Sequence, residues 1–263
     1  MNSWRAARKL LALVPAILGY YLWIRLSDAM LRGARRLRGS RESTGPRRTR
    51  MLNHWSRMVA AILGMRMETR GSPPTAPFFL VSNHVSYTDI ILIAAQLPAV
   101  FVAKSEVAGW PLIGGICRSV DTLFIDRQNK RDIPRVMDEI ESILRDGRGV
   151  VIFPEGTSTS GDSVLRFKPS LLEIAARAGI PVSHACVHYE TAPGSEPART
   201  SVCWWGGAGF AEHILKLVRL PWFRARLTFG EEPVQAADRK ELASRLHAAV
   251  SGNFEPMHDG SDG

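Results

Sequence analysis

The sequence predicts a mixed α/β fold: a largely buried sheet flanked by helices, preceded by an N-terminal helical motif of different character. Three observations predict it. From about residue 76, short apolar runs alternate with amphipathic segments, the pattern of strands separated by crossover helices. Those runs are continuous rather than alternating, as strands covered on both faces require. The first 70 residues instead hold an uncharged run, an arginine-rich connector and a second amphipathic stretch.

The expected strands are residues 77–82, 100–104, 122–126, 149–153, 182–189 and 224–230. After the first, 90–96 reads as a helix that stops near Pro98. Residues 133–145 carry Ile133, Val136, Met137, Ile140, Ile143 and Leu144 at helical spacing, with Asp132 as N-cap and Gly147 as stop. The segment 169–178 opens on Pro169 and ends at Gly179, the asymmetry expected of a helix. Asp238 and Glu241 form a capping-box pair ahead of a helix over 242–250. Beyond Gly252 the chain is polar, and 253–263 reads as a disordered tail. The expected organisation is therefore 1–70 as anchoring helices and connector, 71–252 as the α/β domain, and the tail.

A chain of 263 residues suffices for one large domain and an appendage. Its 34 Lys+Arg against 25 Asp+Glu give a formal charge of +9, which favours an anionic partner. Cys117, Cys186 and Cys203 are odd in number and far apart, which points to a reducing compartment. The uncharged run 10–24 spans about 22 Å as a helix, short of the ~30 Å hydrocarbon core, and contains Pro15 and Gly19. No small-x-small cleavage site follows it, which disfavours a signal peptide. Arg25, Arg32, Arg35, Arg36, Arg38, Arg41, Arg47, Arg48 and Arg50 come next. Residues 51–67 then read as an amphipathic helix. An oily helix, an arginine cluster and an amphipathic helix together indicate a phospholipid membrane, with the short run expected to dip into one leaflet and a single span as the alternative. The arginines lie on no recognisable base-reading element, so nucleic acid is not the expected partner.

Polar residues concentrate after the first strand, in "SNHVSYTD". On one continuous helix His84 and Asp89 would point apart. With Ser86 as N-cap, His84 lies on the preceding turn and Asp89 at N3 faces back, toward the imidazole or the Ser86 backbone N–H. Such a His–Asp spacing arises by composition in about one such chain in four, so alone it is weak. A second polar turn, Pro154, Glu155, Gly156 and Thr157, follows the 149–153 strand, and Arg127 follows the 122–126 strand. All occupy strand C-terminal ends, where α/β sheets bind ligands. His184, Cys186 and His188 share a strand face but lack a fourth metal ligand at suitable spacing, so no metal is expected. No G-x-S-x-G elbow exists to make Ser86 or Ser158 a nucleophile.

These stretches together resemble the glycerolipid acyltransferase family, typified by 1-acylglycerol-3-phosphate acyltransferase. Asn83, His84 and Asp89 match its N-H-x-x-x-x-D block, and Phe124, Ile125, Asp126 and Arg127 its F-I-D-R-like block. Phe153, Pro154, Glu155, Gly156 and Thr157 match F-P-E-G-T, and Ile180, Pro181 and Val182 an I-P-V-like strand. F-P-E-G-T alone arises by chance in about one such chain in ten thousand. Ser158 stands where the family often has Arg, and Phe167, Lys168, Pro169, Ser170 lacks the glycine of F-K-x-G.

The resemblance implies transfer of a fatty acyl group from acyl-CoA or acyl carrier protein to the free hydroxyl of a lysophospholipid, first 1-acylglycerol 3-phosphate. Lyso-ornithine lipid and glycerol 3-phosphate are the alternatives, and a non-catalytic anionic-membrane protein is the alternative of another class. It implies His84 as base and Asp89 as its partner, with no bound cofactor. Around the substrate it implies Asn83, Lys104, Arg127, Glu155, Gly156 and Thr157, with Arg127 and Lys104 toward a phosphate. Helix N-terminal N–H groups would hold the oxyanion. The expected location is the cell membrane, with the catalytic domain on its cytoplasmic face.

Overall fold

The computed structural model describes residues 2–38, 45–110, 113–126, 129 and 132–257. Two helices come first: α1 (Asn2–Arg38) and α2 (Gly45–Leu63). Then follow β1 (Met65–Arg70), β2 (Phe79–Ser82), α3 (Thr88–Gln96), β3 (Ala99–Lys104), α4 (Ile113–Ser119) and β4 (Leu123–Ile125). The chain continues through α5 (Asp132–Arg145), β5 (Gly149–Ile152), α6 (Glu173–Arg177), β6 (Val182–Thr191), α7 (Ala198–Ser201), α8 (Phe210–Arg219), β7 (Phe223–Phe229) and α9 (Arg239–Gly252).

Seven strands form one mixed sheet in the order β1-β7-β6-β2-β5-β3-β4. β6, β2, β5, β3 and β4 run parallel, β7 runs antiparallel to β6, and β1 parallels β7. Every side chain of β2 and β5 is buried, which is why their sequences are unbroken apolar runs. One face packs a core with α1, α2, α3 and α8, including Leu80, Leu92, Phe153 and Phe223. The other packs a core with α5, α6 and α9, including Phe79, Ile140, Leu172 and Leu246. Asp238 caps α9 as expected, its side chain accepting from Lys240 N and Glu241 N.

Three expectations change. The helix over 51–67 ends at Leu63. Gly64, with φ of 75°, reverses the chain, and Met65–Arg70 becomes the seventh strand. That edge strand buries only Met65, and Glu68 reaches Arg226 of the neighbouring β7 at 3.4 Å. The expected helix over 169–178 is a 3₁₀ turn, Pro169–Leu172, running into the five-residue α6. The stretch 253–257, expected to be disordered, is fastened down: Met257 is buried, its N–H bonds Gly161 O at 2.9 Å, and Glu255 pairs with Arg226 at 2.6 Å. Gly161 has φ of 83°, and a Cβ there would strike Met257. Residues 258–263 lie outside the described residues.

α1 is one unbroken helix through Pro15, and its stretch Ser3–Met30 is long and apolar enough to cross a membrane by length and composition. Ala6, Leu13, Tyr20 and Ile24 are buried, with Leu10 and Ile17 partly so, giving a seam repeating every three to four residues. Leu11, Val14, Leu18, Leu22, Trp23, Leu26 and Met30 are exposed. Both ends of the seam are fixed to the domain. Lys9 Nζ donates to Leu63 O (2.5 Å) and Leu220 O (2.7 Å). Asp28 pairs with Arg47 (3.1 Å) and Arg48 (2.7 Å); Arg48 also pairs with Asp121, which Arg148 bonds at 3.1 Å. Of the arginine cluster, Arg41 and the side chains of Arg32, Arg35, Arg36 and Arg38 lie outside the described residues.

Candidate active site

Because β2, β5, β3 and β4 are parallel, their C-terminal ends line up on one edge. That edge receives the His84 turn, then the Glu155 turn, then Lys104, then the segment after Ile125. Lys104 is exposed at the end of β3, two strands from His84. Arg127 lies outside the described residues.

His84 sits two residues past the end of β2, and α3 begins at Thr88. The Nδ1 of His84 lies 2.7 Å from Asp89 Oδ2. The same oxygen accepts Val85 N–H (2.8 Å) and Ser86 N–H (3.0 Å), so the carboxylate does both things its spacing suggested. Ser86 Oγ accepts from Thr88 N at 3.3 Å, while Asp89 N and Ile90 N bond Ser86 O and Tyr87 O. These first-turn N–H groups are thus consumed inside the turn, which corrects the expectation that they await an oxyanion.

Asp89 is fully buried, and its other oxygen, Oδ1, accepts the Tyr189 hydroxyl at 2.9 Å. A carboxylate without water needs such donors. With Nδ1 engaged, Nε2 is the nitrogen left to act, and the His84 side chain keeps 20% exposure. Its ring stacks on Phe153, centroids 4.1 Å apart.

Glu155 is 2% exposed, and its oxygens accept His84 N–H (2.7 Å) and Leu165 N–H (2.8 Å). Burial is the main force pushing its carboxyl up, to about 7; the two N–H donors oppose this and the nearby Asp89 charge adds to it. Gly156 supplies the positive φ, 79°, of this turn, and Thr157 is exposed on it. Asn83 is buried, donating to Val187 O (3.1 Å) and accepting Val187 N–H (2.7 Å). Its amide continues the β2–β6 ladder past the end of β2. Asn83 and Glu155, expected to meet substrate, therefore brace His84 from behind.

Tyr189, and Phe153 of the F-P-E-G-T block, join the site without having been expected there. Tyr189 gave no local signal, being 100 residues from Asp89 in sequence. Phe153 could have been found, because it is the last strand residue before the Glu155 turn. Another neighbour is Trp204, whose backbone N–H donates to Val85 O at 2.8 Å and whose ring meets Tyr87, Trp110 and Phe210. A cavity of about 780 Å³ opens at the opposite sheet edge around Phe78, Pro181 and His184, away from this chemistry. On β6, His188 lies near Glu190 and Glu255, which Arg226 and Arg224 already pair; His184 and Cys186 are not part of that group.

The model of the acyltransferase family matches residues 66–187. The lyso-ornithine lipid O-acyltransferase of Pseudomonas aeruginosa is 34% identical over 94% of this chain and 90% of that protein. The 1-acyl-sn-glycerol-3-phosphate acyltransferase of Neisseria meningitidis is 28% identical over 86% of this chain and 89% of that one. The fold is shared with the crystal structure of the 1-acyl-sn-glycerophosphate acyltransferase from Thermotoga maritima, at a TM-score of 0.57 and 21% identity over 94% of this chain and 97% of that one. The site lies within the matched segment except for Tyr189, two residues beyond it, and the chain belongs to the acyltransferase family that includes these lysolipid O-acyltransferases.

Proposed function

We propose that His84 is the general base in the acylation of a lysolipid hydroxyl, and the observation that carries this is the 2.7 Å contact between its Nδ1 and the buried Asp89. An alcohol is a weak nucleophile at neutral pH, so a base must take its proton as it attacks. Asp89 fixes the Nδ1–H tautomer and leaves Nε2 to receive that proton; it then stabilises the imidazolium. The new C–O bond forms as the C–S bond of the thioester breaks, and Nε2 returns the proton to the leaving thiolate. No acyl-enzyme and no bound cofactor take part; acyl-CoA or acyl carrier protein brings the acyl group.

Two acceptors suit the relatives. Lyso-ornithine lipid is favoured by the 34% identity across nearly the whole chain and by Ser158, which leaves the Glu155 turn without the arginine often found there. 1-Acylglycerol 3-phosphate, giving phosphatidic acid, is supported by the second relative and by Lys104, exposed on the same edge as His84. Purified protein offered a labelled acyl thioester and each acceptor separates them. Turnover of either supports the reaction, the preferred acceptor assigns specificity, and turnover of neither defeats the reading.

The exposed apolar face of α1 fits the interface of one leaflet, with the net charge of +9 drawing the protein to anionic lipid. A span is disfavoured because Lys9 and Asp28, near the two ends of the apolar run, are both tied to the domain. The catalytic domain then faces the cytoplasm, where acyl thioesters are made.

A further inference from the structure

We infer that Tyr189 is a positioning residue of the reaction, fixing Asp89 against His84 through its hydroxyl; this rests on His84 acting as base. β6 runs on past Ala185, the residue paired with Ser82 at the end of β2. The side chain of Asn83 holds that extension through Val187. Two residues later Tyr189 reaches the catalytic turn, 1% exposed, its ring edge-on to Phe223 and its hydroxyl 2.9 Å from Asp89 Oδ1.

The two carboxylate oxygens have unequal surroundings. Oδ2 takes the imidazole and two backbone N–H groups, all from the turn that carries Asp89 itself. Oδ1 takes the tyrosine, from a strand of the rigid sheet. Three donors on one oxygen set where the carboxylate sits, while the fourth, on the other oxygen, fixes the rotation of its plane. That rotation decides whether Oδ2 stays on the Nδ1–H axis. Burial holds the phenol well above its usual range, so it stays protonated and donates.

The ionisable groups facing Asp89 are His84 on its own turn, Glu155 across the β5 turn, Cys203 ahead of the Trp204 loop, and Tyr189 on β6. Of these, Tyr189 and His84 hydrogen-bond it directly. Without the phenol, Asp89 becomes a more basic acceptor. The His84–Asp89 pair then holds its extra proton to higher pH, so the acid limb of the rate profile moves up.

Tyr189→Phe keeps the ring and removes one donor. Because a hydrogen bond to a charged group is at stake, kcat should fall about tenfold. KM for the lysolipid should not change, and the acid limb of kcat/KM should move to higher pH. A melting curve checks that the fold persists; if Phe proves unstable, the same profile on Tyr189→His, which retains a donor, should restore part of kcat. Unchanged kcat and an unmoved limb in a folded Phe variant would overturn the inference. His84→Ala, run alongside, keeps the two ideas apart: full activity there sinks the base assignment. An inactive His84→Ala with a normal Tyr189→Phe sinks only the role of Tyr189.

Discussion

At the scale of single residues, the five positions from His84 to Asp89 acquire meaning only because the helix starts late. The capping pattern around Ser86 made the inward turn of Asp89 readable in the sequence. The supporting residues were not readable: Asn83 and Glu155 look like substrate ligands in a motif, yet both spend their polar atoms on backbone. Asp89→Asn should cut turnover steeply, by about 10⁴ if the tautomer logic of hydrolase triads holds, since an amide can present a donor to Nδ1. Steady-state rates on folded variant check it, and a near-normal rate would reduce Asp89 to a helix cap. Glu155 carries a pH signature. Its folded carboxyl titrates near 7 against a usual 4.5, so its contribution to stability is full below about 4.5 and is lost as pH rises through 7. Glu155→Gln should unfold more easily, because its amide opposes one of two N–H donors, and should lack that slope. Urea melts between pH 4.5 and 8 measure both; identical slopes in the two proteins would contradict the assignment.

At the scale of elements, the parallel strands were legible because burial on both faces leaves a continuous apolar run, as in 149–152 and 79–82. β1 was not, because an edge strand reading Met-Arg-Met-Glu-Thr-Arg is held by ion pairs with β7 and buries only its first residue. The one signal available was Gly64, a helix-ending glycine. α1 was read as a short oily run because its arginine-rich continuation hid the rest of the helix. Its two apolar faces have different partners, one the domain and one the medium. Leu18→Glu with Leu22→Glu, both on the exposed face, should release the protein from anionic vesicles while leaving the melting temperature unchanged. Ile24→Glu, on the seam, should instead destabilise the fold. Co-sedimentation and thermal melts together test this, and retention of the double variant on vesicles would contradict the one-leaflet reading.

At the scale of the whole molecule, a rigid sheet edge holds the catalytic turn while α1, packed on the domain along one seam, leaves its other apolar face exposed. With α1 tied to the domain by Lys9 on Leu220 O and, through Arg48 and Asp121, at Asp28, its N-terminus should stay on the same side of the membrane as the active site. A cysteine placed at Ser3 should therefore be labelled from the catalytic domain's side of sealed vesicles, and labelling from the opposite side alone would show a span. The most direct test of the account is turnover by the full-length protein on lipid vesicles, using labelled acyl thioester with lyso-ornithine lipid or 1-acylglycerol 3-phosphate, before and after His84→Ala. The account predicts that the wild type forms the diacyl product and that the variant, equally folded and equally membrane-bound, loses on the order of 10²–10⁴ in rate. A variant within a factor of a few of wild type would contradict it.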